Sequence, residues 1–108
     1  MVLSSNQRPL TRYSDAVMIT DSTRVKVSPN QVSSKLGDEA VVLHFENGIY
    51  FGLNEVSARI MELIAEPKTV SEIVDVLTSE YDVDTATCRK DVIDLLIQLQ
   101  ENDLIDVD

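Results

Sequence analysis

Cysteine and histidine are almost missing from this chain, with Cys88 and His44 the single examples. One thiol excludes an internal disulfide, and one Cys with one His cannot furnish the four ligands of a structural zinc site. A reducing compartment is implied. Long apolar runs are missing too: nothing approaches the roughly 20 residues of a membrane span, and the N-terminus lacks a charged segment followed by an apolar stretch of about 7 to 15 residues. A cytoplasmic location with no membrane partner is expected. Cations are scarce, 9 Lys and Arg against 19 Asp and Glu for a formal net charge of -10. Such a field repels phosphate backbones and anionic lipid, and favours basic partners. There is no glycine-rich phosphate loop, no metal motif, no internal repeat and no low-complexity tract.

What is present suffices for one ordinary domain. At 108 residues and 44 % apolar, the chain builds a modest core and leaves no room for a second. Charge is unevenly spread: residues 1 to 37 carry Arg8, Arg12, Arg24, Lys26 and Lys35 against only Asp15 and Asp21, so the surplus of carboxylates falls on the remainder. Residues 1 to 22 have only short apolar islands such as Val17-Met18-Ile19, too little to offset their ordering entropy. They read as a mobile N-terminal arm, with the folded domain over 23 to 108.

Arg24 to Val27 alternates, but Pro29 and Asn30 interrupt the pattern, which makes it at best a short edge strand. Alternation resumes at Val32, Ser34 and Leu36, and Gly37-Asp38 supplies a two-residue turn. The next run, Val41-Val42-Leu43 with Phe45, is apolar enough for a central strand. Asn47-Gly48 then signals a hairpin into a last strand over Ile49 to Leu53.

Three helical patterns follow. Asn54 can cap the first, whose Val56, Ile60, Leu63 and Ile64 share one face, and Pro67 stops it. Thr69 with Glu72 forms a capping box that opens the second, with Val70, Ile73, Val74, Leu77 and then Tyr81 inward. Asp84 or Thr85 caps the third, which continues to about Asn102. Leu104 to Val107 allows a short terminal strand. The order predicts an α+β fold, strands before a helical trio, with the last strand left as a free sheet edge beside a helix. An edge of that kind suits a partner's backbone better than small-molecule chemistry.

The inventory for catalysis is poor, since a nucleophile, a base and an orienting group must converge. His44 falls on a strand and Cys88 on the first turn of the third helix, so nothing local pairs them; they read as a surface or sheet-face histidine and a core-facing cysteine. No catalytic residue, cofactor or metal is expected, and the chain reads as a non-enzyme. Three helices beside a small sheet also fit a winged-helix DNA-binding transcriptional regulator, the runner-up reading, but the third helix offers only Arg89 and Lys90 among many carboxylates. Peptide binding fits better. Cys88, Val92, Leu95, Leu96 and Leu99 make a core stripe at 100° per residue, while Ile93 and Ile97 stand outside it. Those two either pack under the sheet or the arm, or line a groove whose other wall is the last strand.

The stretch from Gln31 to Ile60, above all Gly-Ile-Tyr-Phe-Gly-Leu-Asn at 48 to 54 and Ala-Arg-Ile at 58 to 60, resembles the PqqD-like family of peptide-recognition elements. Glu66 to Ile73, Glu80 to Asp84, Cys88 to Val92 and Leu104 to Val107 extend the likeness over residues 24 to 107. The resemblance implies a three-stranded antiparallel sheet followed by three helices, a winged helix-turn-helix-like arrangement, and it is nearest to the standalone leader-binding half of the split lasso-peptide B protein. It further implies that a precursor's leader peptide adds as a fourth strand and is presented to a separate cysteine-type leader peptidase and then to a macrolactam synthetase. Carried residue by residue, the leader-binding positions are Ile49, Tyr50, Phe51, Gly52 and Leu53 on the strand, beginning beside Gly48, and Arg89, Val92, Ile93, Leu96 and Ile97 on the third helix. The segment Arg12 to Ala16 is a candidate self-ligand for the same groove.

Overall fold

The computed structural model describes residues 19 to 108; the proposed self-ligand and most of the expected arm lie outside them. Of that arm residues 19 to 22 are described, and Ile19 among them is buried at 6 % exposure. The elements are β1 (Arg24–Val27), β2 (Gln31–Leu36), β3 (Glu39–His44), β4 (Tyr50–Leu53), α1 (Glu55–Leu63), β5 (Lys68–Thr69), α2 (Val70–Glu80), α3 (Thr85–Glu101) and β6 (Ile105–Val107). They form two three-stranded antiparallel sheets, ordered β2-β3-β4 and β5-β1-β6. The expected α+β class, with its three-stranded antiparallel sheet and three helices, is the observed one. Among the described residues no helix is long and apolar enough to cross a membrane.

The first sheet is a meander whose turns follow their residues. Leu36 opposes Glu39 across Gly37-Asp38, and Gly37 at φ +65 suits the first central position of a two-residue hairpin turn. The second turn is wider than a two-residue one. His44 N–H donates to the Ile49 carbonyl and Gly48 N–H to the His44 carbonyl, Gly48 takes φ +67, and Asn47 Oδ1 accepts from the Ile49 amide at 2.9 Å. Gly48 supplies the left-handed conformation that a side-chain-bearing residue resists.

Arg24 to Val27 is not an edge. β1 is the middle strand of the second sheet, between β5 and β6, and Val25 is buried at 1 % exposure. Pro29 does not interfere because it falls after the last paired residue. Its flanking strands are distant in sequence, β5 at Lys68–Thr69 and β6 at Ile105–Val107; the second matches the expected short terminal strand, but nothing local announces that either pairs with β1.

One core lies between the sheets and the helices, with Val42, Phe51, Ile60, Ile64, Ile73, Leu77, Leu96, Leu99 and Leu104 nearly inaccessible. Alternation turns Ala40, Val42 and His44 of β3 into it, leaving Phe45, expected in the apolar central run, 59 % exposed. Similarly, α1 buries Ser57, Ala58, Ile60 and Met61, and this rotation leaves Val56 at 41 % exposure instead of on the core face.

His44 corrects the surface reading. It is 2 % exposed, and Nε2 lies 3.0 Å from Asp103 Oδ2 in the turn between α3 and β6. Among the described residues its Nδ1 has no partner, while Nε2 is placed to donate to the Asp103 carboxylate. Donor atoms of His44, Glu46 and Asp103 lie within 4.8 Å of one another; the direct hydrogen bond explains the histidine's place without an ion.

Candidate functional site

Among the described residues β4 has a partner on one side only, β3. Because His44 and Ile49 share a ladder hydrogen bond and bonded pairs alternate along an antiparallel ladder, Phe51 and Leu53 also turn their main-chain groups toward β3. The N–H and C=O of Tyr50 and Gly52 therefore point to the open edge. The side chains alternate as well: Phe51 and Leu53 are buried, while Tyr50 and Gly52 are exposed. A Cβ built on Gly52 meets nothing within 4 Å among the described residues, so the exposed sheet face is open at that position.

At the end of this strand lies a pocket of about 430 Å³ between the start of α1, the end of α2 and one flank of α3. Asn54, the residue after β4, lines it with Val56 and Ile60, and across from them stand Val92, Leu95 and Gln98. Asn54 is positioned by its own capping role, its Oδ1 accepting from Ser57 N–H at 2.9 Å. Tyr81, the residue that ends α2, donates its hydroxyl to Glu55 Oε2 at 3.2 Å and so ties α2 to the first turn of α1. Burial, and then the charge of Glu55, push that hydroxyl above its ordinary pKa.

The lining is apolar with an acidic border. Asp91 and Asp94 supply the carboxylates. Cys88 also lines the pocket, and burial, followed by the Asp91 charge, raises its thiol above the ordinary value. A thiol shifted in that direction is a poor nucleophile, and His44 is not among the pocket residues. The arrangement has the shape and lining to accept an extended chain and an apolar side chain.

The expected site residues divide. Ile49, Tyr50, Phe51, Gly52 and Leu53 fall together on or beside β4 as an edge strand. Of the five positions expected on α3, only Val92 lines the pocket. Leu96 is fully buried in the core and Ile93 packs partly buried against it, while Ile97 is 36 % exposed. Arg89 Nε lies 3.4 Å from Asp21 Oδ1. At 100° per residue Arg89, Ile93 and Ile97 occupy the flank of α3 opposite to Asp91, Asp94 and Gln98, so the pocket and that flank do not meet. Sequence reasoning missed Asn54, Val56, Tyr81, Asp91, Leu95 and Gln98 as pocket residues. The nearest signal was Leu95 in the core stripe; the others depend on how three helices converge.

Two solved structures resemble this one. TbiB1 in complex with the TbiA(beta) leader peptide is 42 % identical, with a TM-score of 0.71, over 75 % of this chain and 94 % of that one. A lasso peptide synthetase B1 complexed with the leader peptide shares the fold at 24 % identity, with a TM-score of 0.69, over 76 % of this chain and 96 % of that one. No curated protein matches. Residues 39–105 match the family described as coenzyme PQQ synthesis protein D, and with a 42 % identical relative spanning three-quarters of its length, this chain belongs to the PqqD family.

Proposed function

We propose that the chain is a non-catalytic recognition element that binds the leader segment of a ribosomally made, lasso-type precursor peptide. The leader adds in extended form along β4, and its side chains reach the pocket beside α3. The observation that carries this reading is the open β4 edge with an apolar, acid-bordered pocket at its end, in a chain 42 % identical to a protein solved with its leader bound. On this reading Tyr50 and Gly52 supply main-chain bonds, and Ile49, Phe51 and Leu53 hold the strand from the core side. Val92 with its pocket neighbours makes the helical contact, while Leu96, Ile93, Ile97 and Arg89 seat the helix. The leader is then presented in the cytoplasm to a cysteine-type leader peptidase and to a macrolactam synthetase, with no cofactor required.

Magnitudes allow it. Main-chain bonds at about 1 kcal/mol each and two or three apolar anchors at about 1.5 to 3 kcal/mol each outweigh the roughly 2 to 5 kcal/mol needed to order a disordered segment. DNA binding is disfavoured by a specific observation: α3 carries only Arg89 and Lys90 as cations, and these are engaged by Asp21 and Asp94.

The test is a titration of the cognate leader followed by amide shifts. Shifts are expected at Tyr50 to Leu53 and at the pocket-lining turn of α3. Shifts confined to β1, β6 and the far flank of α3 would refute the reading.

A further inference from the structure

One position on the outer face of the β2-β3-β4 sheet is empty. Ladder register lines up Val32, Leu43 and Tyr50 in one rung and Ser34, Val41 and Gly52 in the next. The first rung is filled across all three strands, and its Tyr50 is 65 % exposed. The second stops at Val41, which is partly buried, because the edge strand brings a glycine. Nothing in the free chain calls for glycine there. Gly52 does not share the positive φ of Gly37 and Gly48, and among the described residues a Cβ at this position would meet nothing within 4 Å. A β-branched residue would suit the strand better. The gap is room for a group that arrives from outside the sheet.

We infer that Gly52 is a specificity position, selecting a leader that carries an aromatic side chain at the residue directly across from it. The inference rests on the strand addition at β4 argued above and names the class of peptide that this edge prefers. Residues opposite each other on neighbouring strands share a face, so the guest residue across from Gly52 projects over the outer face and not toward α3. Strands lie about 4.8 Å apart, which puts the guest main chain about 10 Å from β3 with Gly52 between them. An aliphatic side chain folded back over the glycine ends above it, whereas an aromatic one reaches Val41. A ring lying on a strand glycine covers bare backbone and gains a contact on its far side. Tyr50, the next residue on the same face of β4, borders the ring, since diagonal neighbours about 7 to 8 Å apart are within reach of aromatic side chains. Any side chain at position 52 would close the path to Val41.

Register is what this contact supplies. Main-chain bonds along the edge are blind to sequence, and in the four-residue β4 only Tyr50 and Gly52 turn theirs outward. A guest displaced by two residues sets its ring across from Tyr50 or beyond the strand, away from Val41. One displaced by a single residue turns the ring to the other face. The ring over Gly52 thus fixes which leader side chains point toward the pocket.

The test titrates wild type and Gly52→Val, each as the full chain, with a fluorescein-labelled synthetic leader of the cognate precursor and with its single-alanine variants. In wild type the leader is expected to shift the Gly52 Hα protons upfield, because a ring lies above them, and the alanine variant that removes this ring should abolish the shift. Gly52→Val is expected to keep its thermal midpoint and to bind the leader about tenfold more weakly. Against the ring-less leader the two proteins should differ by less than about twofold, the non-additivity of groups in contact. Should Gly52→Val fail to fold, Gly52→Ala should show the same pattern with a loss of about threefold. An unchanged affinity of Gly52→Val overturns the inference. So does tight binding by a leader with no aromatic residue, or a Gly52 Hα signal that stays in place while the amides of Tyr50 to Leu53 move; in both cases strand addition itself stands. Leader binding with no shift at those amides refutes strand addition and takes this inference with it.

Discussion

Gly52 is where the proposed function is most sensitive to a single atom group. Glycine weakens a strand interior because it loses more entropy on ordering and packs nothing, and here no neighbouring backbone approaches closely enough to require it. Its position on the open edge gives it a use: with no side chain, the N–H and C=O stand unscreened. Gly52→Pro should therefore leave the β3-β4 ladder intact, since that N–H does not face β3, while removing one donor from the edge. The expected outcome is an unchanged fold by circular dichroism and a leader affinity lower by about five- to tenfold, the equivalent of one hydrogen bond of about 1 kcal/mol. Phe51→Pro, one residue earlier, should instead break the pairing with Val42 and delete a core ring buried at 1 % exposure, leaving a cavity and losing the fold.

The helices are positioned by short-range devices that need little from the rest of the molecule. Asn54, Thr69 and Asp84 each accept from an amide three residues on, and Glu72 returns the bond to Thr69 N–H at 2.8 Å. The Thr69 backbone bond holds the Glu72 carboxyl below its ordinary 4.5, and the Thr87 backbone bond does the same for Asp84, ordinarily 3.8. A carboxyl whose folded-state pKa is depressed contributes stability that is complete above its unfolded value and lost as pH falls through the folded one. The thermal midpoint should therefore hold from about pH 7 to 5 and fall below about pH 4.5. Glu72→Gln, which keeps the capping geometry without the titration, should lessen that fall when melts are compared across the range. Between elements, Arg59 on α1 binds Glu80 at the end of α2 through Nε and Nη2 at 2.9 and 2.7 Å, and Lys35 on β2 meets Glu62 at 2.8 Å. These ion pairs are partly exposed, and their net worth is small.

Across the whole molecule, charge and shape act together. A net charge of -10, with Asp91 and Asp94 bordering the pocket, attracts a cationic segment over a distance set by the ionic strength, about 10 Å at 0.1 M. Stopped-flow measurement with a basic leader should show an association rate that falls steeply between low and moderate salt, while the dissociation rate, set by strand pairing and apolar contacts, changes little. A dissociation rate that carried the salt dependence would place the charges inside the contact and not around it.

The amino-acid order alone determined what is local or periodic: the Gly37-Asp38 turn, β3 as a central strand, the three caps, the core stripe of α3 and the open last strand. Each follows from interactions within a few residues or from a period of two or 3.6. Tertiary structure decided the rest. β1 is central only because Lys68 and Ile105, distant in the chain, arrive on either side of it. The alternation of β3 turns His44 inward, but only the fold brings Asp103 to its Nε2, and the pocket takes Asp91 and Gln98 while turning Arg89 and Ile97 away because three helix axes converge on one flank of α3. Periodicity gives the angle between residues on a helix, but which flank faces a neighbour is fixed only when the neighbour packs.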